Sequence, residues 1–521
     1  MQLISPSNSS GTIDDNGVFY YSQPTTNAGE YGIRPGDLLN FIWYHSQHLQ
    51  SRYYKLRRYY RGHHDIIDKD NKKQGRPDSR IVVNYPAELV NNSVGYFVGT
   101  PAKIDYIDQD GAVNKEFDSK VTEFIRMNNF DDKLVELAKQ VDIYGRSHLL
   151  IYQNEDKETR VATLDPLHAF VIYDDSIEPK PLFAVYYRTT AVFGSDNESI
   201  TTGEVEGTLY TRNESINFIG SSQGVDIAFD EPEMNQFGDV QIIEAVANDE
   251  RKGVFEDVIS IIDAVDEAMS AKANDINYFS NAILKVINAT MDQDKVDDML
   301  DNHFINIKRV ANGEAPIIEF VDKPDADGVQ ERFLDRAVDF IYTKAMVANF
   351  NDDVFGTASG TALEFKLQAM SNNASMKARK FTSVIRKLFK LGFTAGATLP
   401  IEGNIRDLSI KFTKTVPHNI ADEINTAVSG FNSGLLDHRT ALSLVSSVED
   451  PEQVLDALKR EKEATSSNAM DNLLQSASGD FADQLGNAML KVNAQTVQNS
   501  DPTSGGDDLA KQKEDANAGT K

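Results

Sequence analysis

Two long helical patterns, interrupted by a compact insertion, leave this chain few ways to fold. Phe255, Ile259, Ile262, Val265, Met269, Ala273, Ile276, Phe279 and Ile283 recur at gaps of three and four. That spacing marks one face of a helix which, at ~1.5 Å per residue, runs roughly 45 Å. Its other face carries Glu256, Asp257, Asp263, Asp266, Glu267 and Asp275. A second helix is expected from Gln330 to Asn349. Between them lie an acidic helical piece, DQDKVDDMLDNH, and a hairpin, FINIKRV-ANG-EAPIIEFV, whose Asn312-Gly313 supplies the positive φ angles of a tight turn. Helices that bracket an insertion hold it at their shared far end, which makes a protruding stalk. A narrow stalk has little core of its own, so its apolar faces are expected to be covered by neighbouring copies, with Phe255, Ile259, Ile262, Val265, Met269 and Ile276 as the interface.

A third apolar stripe, Leu363, Leu367, Met370, Ala374, Ala378, Phe381, Ile385 and Leu388, marks another long helix. Its second half is basic, with Lys377, Arg379, Lys380, Arg386, Lys387 and Lys390. Before the stalk the pattern is mixed: helices through RYYKLRRYYRG, NYPAELVNNSVGYFVG and FDDKLVELAKQVDIYG, a hairpin KIDYI-DQDGA-VNKEF, and short strands such as SHLLIYQ, AFVIYD, LFAVYYRTT and VDIAF. The fold class expected is α+β, mainly helical. Residues 1 to 35, rich in Ser, Asn and Gly, read as a loose arm. After a strand, LSIKFTKTVP, a small helical module ends near Lys462, and the polar remainder reads as largely disordered. At 521 residues, three or four structural units are expected.

Several chemistries are excluded or weakened. There is no cysteine, which removes thiol catalysis and thiolate metal sites and fits a reducing cytoplasm. The first fifteen residues lack the basic and apolar regions of a signal peptide, and no apolar run approaches the ~18 residues of a spanning helix. No Gly-Lys-Ser/Thr occurs, so no phosphate-cradling loop of an ATPase is expected. Gly220-Ser221-Ser222-Gln223-Gly224 matches the serine-hydrolase elbow but sits between two strand patterns. The calcium-loop fragments DYIDQDG and DKPDADG carry Tyr106 or Lys323 at the first ligand position and Phe117 or Leu334 at the twelfth, so they read as turns. His63-His64-Asp65 reads as a helix C-terminal cap, since adjacent side chains on a helix point apart. Paired acids at Asp131-Asp132, Asp174-Asp175, Asp297-Asp298 and Asp352-Asp353 have the composition of a two-metal nuclease, but read as solvated faces and helix starts. No cofactor and no metal are expected.

The formal charge of −28 opposes tight, non-specific phosphate binding. It leaves room for local basic faces. One is RYYKLRRYYRG, read as a helix whose tyrosines pack inward while its cations reach solvent. The other is the basic half of the third long helix, with Lys377, Arg379, Lys380, Arg386 and Lys387 as candidate DNA-facing residues.

The stretch NFNDDVFGTASGTALEFKLQAM places acids, an aromatic and two glycines where a short connection would suffice. By itself it also reads as punctuation, with Thr361 and Glu364 at the spacing of a capping box. Together with RYYKLRRYYRGHHDI, RIVVNYPAELVNNSVGYFVGTP, DPLHAFVIYDD and FEDVISIIDAVDEAMSAKANDINYFSNAIL, in that order along the chain, it resembles the portal proteins of tailed bacteriophages, in the branch typical of long-tailed phages of Gram-positive hosts. The resemblance covers roughly residues 50 to 465.

The resemblance implies a portal fold: a flexible arm at 1–35, a wing at 36–253, stem helices at 254–285 and 329–350, and a clip at 286–328. A tunnel loop would follow at 351–360, a long wing helix and connection at 361–404, a crown at 405–465 and a disordered tail at 466–521. Asn351, Asp352, Asp353, Val354 and Phe355, then Gly356, Thr357, Ser359 and Gly360, would line a DNA channel. It further implies a homo-oligomer, commonly a dodecamer, at one capsid vertex of the virion, assembled in the host cytoplasm. Double-stranded DNA passes through it during packaging and ejection. The implied partners are the terminase large subunit as ATPase motor, the major capsid protein, a scaffolding protein and a head-tail adaptor protein, with no membrane. The alternative from another class is a capsid-vertex or head-completion adaptor that oligomerises without enclosing moving DNA.

Overall fold

The computed structural model describes residues 2–3, 11–22, 31–70, 78–107, 113–193, 199–221, 227–279, 284–287, 317–320, 327–350, 360–414, 420–445, 448 and 451–464. It opens with three short strands, β1 (Gln2–Leu3), β2 (Gly11–Ile13) and β3 (Phe19–Tyr21). Phe19 and Tyr21 are buried, so residues 11–22 are part of the core and not the loose arm expected of residues 1 to 35. The polar residues that suggested an arm make a turn instead. Asp14 Oδ1 accepts the N–H groups of Asn16 and Val18, and Gly17 takes a φ of +68° that a side chain would strain.

Helices α1 (Pro35–Tyr44) and α2 (Gln50–Tyr60) are joined by a π-helical turn, His45–Leu49. Then come α3 (Tyr85–Val98), β4 (Lys103–Tyr106), α4 (Lys115–Met127) and α5 (Phe130–Tyr144). Asn84 and Asn114 start α3 and α4 by accepting the N–H groups of Ala87 and Phe117. The cap at Asn114 defeats the hairpin expected of KIDYI-DQDGA-VNKEF: VNKEF runs into α4, and among the described residues only the bridge Ile107–Val113 remains of the hairpin. The ladder partner of β4 is the distant β16 (Leu408–Lys411), antiparallel to it.

The remaining strands are β5 (Arg146–Gln153), β6 (Thr159–Leu164), β7 (Ala169–Tyr173), β8 (Pro181–Phe193), β9 (Ser199–Tyr210), β10 (Glu214–Ser221), β11 (Ile227–Phe229), β12 (Glu233–Met234) and β13 (Ile242–Val246). Among the described residues they form a nine-stranded sheet ordered β1-β2-β3-β7-β8-β9-β10-β11, with β12 also on β10, and a three-stranded sheet ordered β13-β5-β6. The β3–β7 pair is parallel. Val171 and Ala184 of the large sheet pack with Val240 and Ile242, so the two sheets share a core. Every one of the four is almost without solvent contact, and burial of such side chains is worth ~1.5–3 kcal/mol each for the larger ones.

The interrupted helical pattern is α6 (Ile259–Phe279), β14 (Leu284–Ile287), β15 (Ile317–Phe320) and α7 (Asp327–Ala345). β14 and β15 pair antiparallel, from Leu284 opposite Phe320 to Ile287 opposite Ile317. The insertion is therefore closed at its base by LKVI, which the periodicity had not separated from the end of the helix. The hairpin turn expected at Asn312-Gly313 lies outside the described residues. The long helix α8 (Gly360–Ala395) follows.

Two compact units divide the chain, Met1–Thr415 and Val416–Lys521. The β4–β16 ladder holds Leu408–Lys411 in the first unit, and the boundary at Thr415 falls ten residues after 405, where the resemblance put the start of the crown. The second unit contains α9 (Ile420–Asn432), α10 (His438–Ser443) and α11 (Pro451–Ala464). Its core is Ala427, Ala441 and Val445.

Candidate functional site

The base of α6 is fixed to the mixed region by close backbone approach. Gly145 ends α5 at φ +83°, where a Cβ would lie 1.8 Å from the Arg251 carbonyl oxygen, and a Cβ on Gly253 would lie 2.5 Å from that of Ile143. The Val254 N–H donates to the Asp142 carbonyl at 2.8 Å. Beside this crossing sits a buried charge cluster. Glu244 Oε2 accepts from Arg251 Nη2 at 3.0 Å and from the Tyr173 hydroxyl at 2.8 Å, and Arg146 lies 3.3 Å from its other oxygen. Burial opposes the charge on Glu244, and the Arg251 and Arg146 guanidiniums overcome it, holding the carboxyl well below the usual carboxylate range.

Above this crossing, the polar face of α6 is joined to the segment around α2 by a seam of side-chain bonds. Arg52 Nε and Nη2 each donate to Glu256 at 2.6 Å, just before α6 begins. The Tyr59 hydroxyl donates to Asp263 at 2.7 Å. Asp266, with no solvent exposure, bonds the His64 ring and accepts the Val83 N–H at 2.8 Å. Ser270 Oγ accepts the Ile81 N–H at 2.8 Å, and Asn274 Oδ1 accepts that of Ser79 at 2.6 Å. Glu256, Asp263 and Asp266, which the sequence placed on the face opposite the apolar stripe, are therefore taken up in bonds to the rest of the subunit. His64 also donates to the Tyr59 carbonyl at 3.2 Å, which is the C-terminal capping expected of His63-His64-Asp65.

RYYKLRRYYRG follows its expected pattern only in part, since Tyr54 is 43% exposed. Tyr53, Leu56 and Tyr59 are buried, while Lys55 and Arg58 reach Asp65 and Asp68 at the surface. Among the described residues, no group of three or more His, Asp or Glu is placed to hold a metal ion. Likewise no helix among them is long and apolar enough to cross a membrane.

The expected interface residues separate. Phe255, Ile262 and Val265 are buried within the subunit itself, against the expectation that neighbouring copies cover them. The physical reason is that α7 packs against this part of α6 and the turn before it, so it has the core a lone stalk would lack. Ile259 and Met269 are half-buried, and Ile276, toward the far end, is 64% exposed. α7 also leaves apolar surface open. Leu334, Ala337, Ile341 and Tyr342 face inward, with the Tyr342 hydroxyl donating to Glu88 at 2.6 Å. Val329, Phe333 and Phe340, at spacings of four and seven, are 62%, 49% and 43% exposed. The same spacing rule that found the α6 stripe marks this one, but a stripe shared between two faces of one helix is not divided by periodicity.

On α8 the apolar stripe from Leu367 through Phe381 to Leu388 is buried as its period requires. The basic run is not uniform. Lys377 is 3% exposed, donating to Ser93 Oγ at 2.8 Å and to Asp142, so it does not face DNA. Lys380 donates to Asp249 at 2.5 Å. Arg379 and Arg386 are exposed, and Lys387 is half-buried. Asn351, Asp352, Asp353, Val354, Phe355, Gly356, Thr357 and Ser359 lie outside the described residues, and Gly360 is the first residue of α8.

A sequence profile of the family described as phage portal protein, SPP1 Gp6-like, matches residues 39–468. No curated protein matches the chain.

Proposed function

The chain belongs to the SPP1 Gp6-like family of phage portal proteins, and on that premise we propose that copies of it close into a ring, of twelve, whose channel passes double-stranded DNA. The family is structural, and its members are components of the phage particle. In this reading the ring serves packaging and ejection and joins head to tail. The energy comes from a separate ATPase, the terminase large subunit, and the ring is built into the shell with the major capsid and scaffolding proteins and closed by a head-tail adaptor.

The observation that carries the reading is the outer face of α7. Val329, Phe333 and Phe340 are exposed on a helix whose inner face is already filled, and such a stripe is the kind of surface that a second copy covers. The proposed stem is then α6 and α7, with the interface on α7 and at Ile276. The clip is the insertion based on β14 and β15, and the crown begins after residue 415. Asn351 to Gly360 keeps its role as the tunnel loop through the resemblance of its sequence, its acids favouring sliding over grip.

Electron microscopy of the purified protein tests this directly. Closed rings with a through-channel are expected from the natural sequence, and monomers or open arcs from Phe333→Asp with Phe340→Asp. A closed assembly without a channel would make the chain an adaptor and overturn the proposal. Phe355→Ala is expected to leave ring yield unchanged while packaged DNA falls, because it removes the one large side chain of the loop.

A further inference from the structure

A cleft of about 990 Å³ opens between the C-terminal half of α8, the turn leading into β8 and the turn joining β9 to β10. Five cationic side chains line it: Lys180, Arg212, Arg386, Lys387 and Lys390. Among the described residues, none of the five donates a side-chain hydrogen bond or forms an ion pair. Two of the three acids in the walls are engaged in their own turns. Asp174 Oδ1 accepts from the Ser176 hydroxyl at 2.6 Å and from the Lys180 N–H at 2.9 Å, and Asp239 Oδ1 accepts the Val240 N–H at 2.8 Å.

Lys387 is the informative member. Burial pushes its ammonium below the ordinary lysine value, Asp239 opposes this in part, and Lys390 adds to it. A desolvated cation beside another cation is a standing cost that an incoming anion relieves. Pro181, Leu182, Phe183 and Ile405 supply apolar wall between the charges, so the preferred ligand carries both carboxylates and apolar side chains.

We propose that this cleft binds an acidic peptide segment of a separate polypeptide, its carboxylates meeting Arg212, Arg386, Lys387 and Lys390 and its apolar side chains resting on Leu182 and Ile405. Duplex DNA fits less well. Its charge repeats every ~1.7 Å along a rod and calls for an extended basic face, whereas this is a recess with Asp174, Glu214 and Asp239 in its walls. The docking site is independent of the channel reading, because it requires neither a ring nor the tunnel loop.

The test uses the full chain and a fluorescent peptide alternating Glu and Leu, with its Gln-for-Glu analogue and a short DNA duplex as comparisons. Binding of the Glu peptide is expected to weaken with salt, and the Gln analogue to bind at least about tenfold more weakly. Arg386→Glu with Lys390→Glu is expected to lose at least about tenfold in affinity with thermal unfolding unchanged, since both residues are exposed. Lys387→Met is expected to weaken binding as well. Tighter binding of the duplex, lost in the same variant, would make this a phosphate site and overturn the proposal. Absence of peptide binding, or binding indifferent to the variants, would overturn it too. Ring formation in the same samples is read separately by imaging.

Discussion

Lys377 and Arg386 stand on one helix, in one basic run, and have opposite roles. Lys377 meets Ser93 from α3 and Asp142 from α5 and is buried with them. Arg386, with Lys387 and Lys390, meets only the walls of a cleft. The first position holds elements together, and the second leaves charge available for recognition. Helices α6 and α7 repeat the lesson with polarity reversed. Asp263 and Asp266 of α6 are consumed in a seam with the α2 region, while the apolar outer face of α7 stays open. In each case the deciding factor is which element packs across from the helix, and not the helix's own pattern.

The largest effect that would break this contrast is at Lys377. Lys377→Met leaves Asp142 buried without its cation, and a loss of ~3–5 kcal/mol in denaturant titration is expected. Replacing Asp142 by Leu in the same chain should recover much of it, since removing both charges leaves neither unpaired. A loss under ~1 kcal/mol would mean that water reaches Asp142, and Lys377 would then resemble Arg386.

Interior groups can also be kept uncharged, and acid separates the two devices. Burial, reinforced by the Arg146 charge, pushes His45 down to about 3; burial pushes His148 to about 4, with Glu244 opposing and Arg146 and Arg251 adding to the shift. The unfolded chain takes up these protons near the ordinary value of 6.5 while the folded chain does not. Stability is therefore full above that value and falls as pH drops from 6.5 toward 4, by about 2 kcal/mol for each histidine by pH 5. Glu244, kept charged, loses its contribution in the same direction but at lower pH. Its contribution is present above 4.5, its ordinary value, and is lost only below it. A decline confined to pH below 4.5 would assign the acid lability to the ion pairs instead.

Smaller again is the effect of Tyr59→Phe, which removes one bond of the α6 seam, to Asp263, and is expected to cost ~0.5–1.5 kcal/mol with assembly intact. Smallest is Arg386→Ala, within ~0.5 kcal/mol of the natural chain in thermal unfolding. A larger loss there would show that Arg386 has a structural partner and would erase the contrast with Lys377.

The helices at NYPAELVNNSVGYFVG and FDDKLVELAKQVDIYG, the α8 stripe and the interrupted helical pair were all legible, because their caps and periods are written in neighbouring residues. The family was legible as well, since it rests on several stretches in a fixed order. Residues 11–22 were misread because Ser, Asn and Gly are as suited to a tight turn between strands as to an arm. VNKEF was misread because Asn114 serves a helix cap as readily as a hairpin. Of the candidate site, the sequence supplied the basic run on α8 but not the loss of Lys377 to Asp142, and of the expected interface residues it did not foresee that Phe255, Ile262 and Val265 are buried within the subunit.

What the sequence determined by itself, then, was local and periodic: where the long helices run and which side of each is apolar. Only the tertiary structure decided whether a face is already covered. Lys377 and Asp142 are 235 positions apart, as are the partners of the α6 seam by about 200. A side chain's solvation depends on what arrives across that distance, and no local pattern carries it.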